Sequence, residues 1–157
     1  MIKTISGFRS ATLAAAALAA IALAGCQSER FQTPPFYKDL ARVDGEVAAA
    51  TAAQLLSQYR SNNGLSPVTA DAQLTGIAKS QAEAMAKAGS VQASLAPDQQ
   101  LATRMSSIGE PKTAAAENVS AGYRTFAEAF SGWRESPKHN QVLLTPDSTR
   151  LGIATAY

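Results

Sequence analysis

The sequence predicts an α+β domain in which helices pack on a small antiparallel sheet. Three observations carry that expectation. Apolar residues recur at helical three-and-four spacing through the first half of the domain, short extended runs cluster in its second half, and strands and helices do not alternate regularly. The 157-residue chain has the length of one domain with a modest core once its leading segment is set aside.

In that leading segment Lys3 and Arg9 precede an almost unbroken apolar run from Ala11 to Ala24, which closes on Leu23-Ala24-Gly25. A charged start, a short apolar stretch and small residues describe a secretory signal over residues 1–25. The run is too short to cross a bilayer comfortably as a helix of about 20 residues. Cys26 is the chain's one cysteine, which excludes an internal disulfide. Lys3 and Arg9 also account for the whole formal excess of +2. The remaining charge is balanced and has no basic cluster, which argues against nucleic acid as a partner.

Residues 26–45 read as a tether, with Pro34-Pro35 and no periodicity, and with Phe36 and Tyr37 placed to dock back onto a domain spanning 46–157. From about Val47 an alanine-rich helix carries Leu55, Leu56 and Tyr59 and ends at Asn63-Gly64, a natural C-cap. Asp71 is a good N-cap for a second helix, whose Leu74, Ile77, Ala78, Ala82 and Met85 share one face and which stops near Gly89. Ser90 to Pro97 is predicted as loop and Asp98 to Ser106 as a third helix. Ala114 to Ala121 is a candidate strand, although alanine favours strands weakly. Thr125 and Glu128 have capping-box spacing, and the helix they open shows Phe126, Ala129, Phe130 and Trp133 on one face. Pro137 ends that helix. A helical turn over His139 to Leu144 and a strand from Arg150 to Tyr157 follow. The apolar run at Tyr157 has no polar tail or turn after it, which predicts a further strand.

The chemistry gathers between Glu117-Asn118 and Ser136-Pro137-Lys138-His139, a stretch holding the only histidine and, at Trp133, the only tryptophan. A histidine and a carboxylate brought together can bind a metal, pass a proton or hold a polar ligand. A plainer reading of His139 is a surface residue capping a helix. Trp133, Phe126 and Phe130 read as core, and Glu135 as a solvated face. Ser120 and Ser136 lie near in sequence, but there is no Gly-x-Ser-x-Gly elbow and no phosphate-binding glycine loop.

Two resemblances add to this. Cys26 directly after Leu-Ala-Gly resembles the lipobox of bacterial lipoproteins, which implies diacylglyceryl transfer to Cys26 and cleavage before it. Gln27 rather than aspartate after it implies the outer membrane, facing the periplasm, and several acyl chains anchor stably where one does not. Arg60-Ser61-Asn62-Asn63-Gly64-Leu65, Val68, Asp71 and Leu74 open a second pattern. It continues through Ala78, Ala82, Met85-Ala86, Arg104, Gly109, Glu117-Asn118 and Gly122, and closes with Trp133, Ser136-Pro137, His139, Leu143-Leu144 and Leu151-Gly152-Ile153. Residues 47–157 thereby resemble the CAP superfamily of cysteine-rich secretory, antigen 5 and pathogenesis-related proteins, the SCP domain.

That resemblance implies a three-layer α-β-α sandwich with a central antiparallel sheet, whose last strand this chain lacks. It also implies a cleft in which Glu117 and His139 match an acid and a histidine of a set that holds zinc in some members. Glu117 would then hold one ring nitrogen and stabilise the charged imidazole, and Asn118 would offer its amide to the chain or to a ligand. The second histidine of that set should fall near Gln92 to Ser94 and is absent, so zinc would need Glu110 or Glu135 as well. No metal or other cofactor is therefore expected. The function expected is a non-enzymatic, envelope-anchored module binding a lipid, glycan or protein through Glu117, Asn118 and His139. The alternative is a degenerate hydrolase of peptide or cell-wall bonds with His139 as base oriented by Glu117.

Overall fold

Helix α1, Ala49–Asn62, turns Ala52, Ala53, Leu56 and Arg60 inward, as the spacing of its apolar residues predicts. In the computed structural model, which describes residues 33–42 and 46–157, the helix ends where Gly64 takes φ +75° and the Leu65 amide bonds back to the Arg60 carbonyl at 3.0 Å. The segment expected to be a secretory signal and Cys26 lie outside the described residues. Strand β1, Thr69–Ala70, leads to helix α2, Ala72–Ala88, capped by the Asp71 carboxylate on the Leu74 amide at 2.9 Å and closed by left-handed Gly89. Two 3₁₀ turns, Val91–Leu95 and Pro97–Gln99, occupy the expected loop. Helix α3, Leu101–Ser107, follows, three residues later than Asp98.

Helix α4, Phe126–Glu135, opens with the predicted capping box: the Thr125 hydroxyl accepts from the Glu128 amide while the Glu128 carboxylate accepts from the Thr125 amide. Pro137 ends α4 and begins α5, Pro137–Leu143. It can do both because the first turn of a helix needs no proline donor. Strand β2 is Arg150–Leu151.

The domain is α+β, but two expectations about its sheet are corrected. The sheet is parallel, with Thr69 beside Arg150 and Ala70 beside Leu151, and has two strands. Parallel pairing requires a long crossover, and here all of α2 to α5 lies between the strands. The predicted strand Ala114–Ala121 adopts no regular structure, and that over Arg150–Tyr157 is regular only at its first two residues. Alanine-rich backbone has little preference for strand.

The core joins Ala52 and Leu56 of α1, Phe126 and Phe130 of α4 and Leu143 of α5 with Val68 and Leu40. Leu40 and Phe36 thus bring the expected tether into the folded unit, which begins at Thr33. The Leu40 amide bonds the Arg124 carbonyl at 2.7 Å, whereas Tyr37 stays exposed. Tyr59 meets Phe130 edge-to-face at 5.7 Å. Arg60, 1% exposed, has no carboxylate partner among the described residues. Its guanidinium donates to the carbonyls of Ser66, Leu143, Thr145 and Ser148 at 2.8–3.2 Å, tying α1 to the chain after α5.

Along β2, Leu151 and Ile153 pack on this core while Gly152 between them abuts Leu74 of α2. A Cβ at Gly152 would collide with the Leu74 carbonyl. Since side chains alternate across an extended chain, this run separates a layer of α1, α4 and α5 from a layer containing α2.

Candidate functional site

The walls of a cavity of about 940 Å³ include α2, α3, the irregular run Ala114–Ala121 and the chain from Gly152 to Tyr157, and the cavity extends to side chains of α1, α4 and α5. Much of the lining is apolar because α2 presents its predicted stripe of Leu74, Ile77, Ala78, Ala82 and Met85 there. Gln81 sits in the middle of that stripe. It is 2% exposed, and neither its amide nitrogen nor its oxygen has a partner among the described residues. The Asn118 Oδ1 atom, also at the lining, is buried and unpartnered too. Buried carboxamides normally find partners, so these atoms give the cavity an unmet demand for hydrogen bonds.

Arg104 supplies the charge. Its Nη2 donates to both oxygens of Glu117, at 2.8 and 2.6 Å, while Nε donates to the Gln99 carbonyl at 2.9 Å. The arginine side chain is 6% exposed and the glutamate 25%, so this pair lies largely out of water, where its loss leaves an uncompensated ion.

The two sequence-predicted runs do meet, though not by the expected atoms. Asn118 Nδ2 donates to the backbone carbonyl of His139 at 3.0 Å. Glu117, one residue earlier, points to α3 and spends its carboxylate on Arg104. Among the described residues no hydrogen bond joins Glu117 to the His139 ring, and that ring is not part of the cavity lining. The expected carboxylate–imidazole pair is therefore replaced by a carboxylate–guanidinium pair. Adjacent side chains diverge, so Glu117 and Asn118 serve different neighbours. Trp133 is partly buried against the core, and its indole donates to the Ser120 hydroxyl at 3.1 Å.

The remaining zinc candidates do not fit a metal. Glu110 is held bidentately by Arg150, which also reaches Asp71 at 3.3 Å, and Glu135 is exposed. Among the described residues no three or more His, Cys, Asp or Glu side chains are grouped to hold an ion. In the Arg150 cluster, the guanidinium holds Glu110 below its ordinary value. The Leu74 amide and then Arg150 do the same for Asp71, and Arg150 itself is pushed upward chiefly by Glu110.

Arg104 and Gln81 carry the site and were not singled out as such in the sequence. Gln81 does leave a signal: a polar residue at the centre of an apolar helical stripe. Arg104 leaves none, because its partner lies thirteen residues away across a turn.

Residues 53–157 match the model of the CAP, or cysteine-rich secretory protein, family. The chain belongs to that family. The CAP fold is also seen in an extracellular protein containing an SCP domain from Bacillus anthracis str. Ames, solved at 1.5 Å resolution. The two share 23% identity with a TM-score of 0.62 over 68% of this chain, and the match spans 36% of that longer protein. None of the curated proteins compared matches the sequence.

Proposed function

We propose that this CAP domain is a non-enzymatic binding module whose ligand enters the 940 Å³ cavity. The observation that carries the reading is the buried Gln81 carboxamide and the buried Asn118 Oδ1, neither with a partner among the described residues, in a cavity whose α2 wall is largely apolar. Mostly apolar cavities with a few convergent polar groups suit binding. The ligand makes apolar contact with Ile77, Ala82 and Met85 and hydrogen bonds with the two amides, and the Arg104–Glu117 pair fixes the polar end. His139 contributes its carbonyl, through Asn118, to the position of that wall. The hydrolytic alternative loses support here, because the carboxylate that would orient His139 is committed to Arg104.

The probe 1-anilinonaphthalene-8-sulfonate tests the cavity. The full chain should bind it near one-to-one with a rise in fluorescence, and Ala78→Trp, which fills the cavity from α2, should abolish the rise while circular dichroism stays native. Absence of binding, or binding indifferent to Ala78→Trp, would overturn the reading.

We also propose that acylated Cys26 anchors the domain at the outer membrane, facing the periplasm. The sequence Leu23-Ala24-Gly25-Cys26-Gln27 supports this. A clickable palmitate analogue fed to cells should label the protein and fail to label Cys26→Ser. Equal labelling of the two would refute it.

A further inference from the structure

Six residues, 27–32, separate Cys26 from Thr33, where the folded unit begins. Seven Cα-to-Cα steps at full extension reach at most about 25 Å. A domain of this length is roughly 35 Å across. An acyl anchor at Cys26 therefore holds the surface around Thr33 close to the bilayer and keeps the far side off it. At that root the 3₁₀ turn Pro35–Tyr37 packs Phe36 on the core and leaves Tyr37 56% exposed. Buried Leu40 pins the segment, and Lys38, Arg42 and Arg124 stand exposed around it. The nearby acids are committed. Asp39 pairs with Arg124 at 2.8 Å, and Glu128 accepts from the amides of Arg124 and Thr125. Among the described residues neither Lys38 nor Arg42 has an ion-pair partner.

We propose that this root, through Tyr37, Lys38 and Arg42, rests on the headgroups of an anionic phospholipid leaflet and so fixes which way the domain faces. This rests on the acylation of Cys26 proposed above and adds an orientation to it. Tyrosine rings settle at headgroup level, where the ring is half-wet and the hydroxyl finds partners. Each Lys or Arg close to an anionic leaflet strengthens surface binding by about fivefold. Two such cations and one tyrosine would not hold a freely diffusing protein. On a tether of six residues the leaflet is always within reach, and contacts that weak suffice.

The test uses the protein as extracted from membranes, placed in vesicles of phosphatidylethanolamine with about a quarter phosphatidylglycerol, in phosphatidylcholine vesicles and in detergent micelles. A membrane-impermeant acetylating reagent reads the reactivity of Lys38 against that of exposed Lys87 on α2. The Lys38-to-Lys87 ratio should fall about fivefold on the anionic vesicles alone, and about 0.5 M salt should restore it, because salt screens exposed charge. Arg42→Glu alters an exposed, unpaired residue, so the fold should survive, and the ratio should return to its value in micelles while the protein stays on the vesicles. One ratio in all three settings would overturn the proposal. So would a fall that persists on phosphatidylcholine or in Arg42→Glu, since a contact of that kind does not read anionic headgroups. If the protein stays on the vesicles while Lys38 remains reactive, the docked root falls and the anchor stands. If the protein washes off the vesicles, both fall.

Discussion

Asn118 fastens the irregular run after α3 to α5 by donating to the His139 carbonyl at 3.0 Å. The contact uses the backbone of His139 and leaves its imidazole without a defined task. Asn118→Ala should therefore cost about 1 kcal/mol in chemical denaturation, one neutral hydrogen bond. His139→Ala should change stability by less than about 0.5 kcal/mol, the usual range for a position away from such features. A larger loss for His139→Ala than for Asn118→Ala would show that the ring matters after all.

Removing Glu117 strands a buried guanidinium. Glu117→Ala should destabilise by about 3 kcal/mol, the lower end for breaking a buried pair because the glutamate is partly open to solvent. Arg104→Met together with Glu117→Leu should recover much of that loss, since apolar replacement of both partners removes the unpaired charge. A denaturation series on the single and double variants reads this directly.

Arg60 satisfies four carbonyls with one side chain. Arg60→Met keeps the volume but leaves buried acceptors unmet, and about 4 kcal/mol should be lost. Hydrogen exchange should then rise first from Leu143 to Ser148, where three of the four carbonyls lie.

Acid should attack the Arg150 cluster. Glu110 and Asp71 are held below their ordinary values of 4.5 and 3.8 in the folded protein. A depressed folded value means that the unfolded chain takes up protons first, so the stabilisation is complete above the ordinary values and disappears as pH falls through the folded ones. Stability should be flat between about pH 7 and 5 on this account and fall below about 4.5. Glu110→Gln should flatten the fall, as a melting-temperature profile against pH would reveal.

Local signals in the sequence were legible wherever one segment determined its own conformation. Asp71, Gly89, Thr125 with Glu128, and Pro137 each ended or began a helix where expected, because caps and prolines act within a turn or two. The kinship was legible from the order of Arg60, Glu117-Asn118, Trp133 and His139. The sheet was not, since parallel pairing of Thr69 with Arg150 depends on a crossover of about eighty residues, which leaves no short-range mark. The site was half legible. Spacing brought Glu117-Asn118 to His139, but which of two adjacent side chains faced the histidine depended on Arg104, whose claim on Glu117 is purely tertiary. Gln81 was visible as a polar break in an apolar stripe, yet only burial without a partner gave it meaning.

The most direct measurement is native mass spectrometry of the protein purified gently from the cells that make it. The account predicts a non-covalent molecule retained near one-to-one and lost from Ala78→Trp. A protein that arrives empty under gentle conditions, or whose cargo survives that substitution, would contradict it.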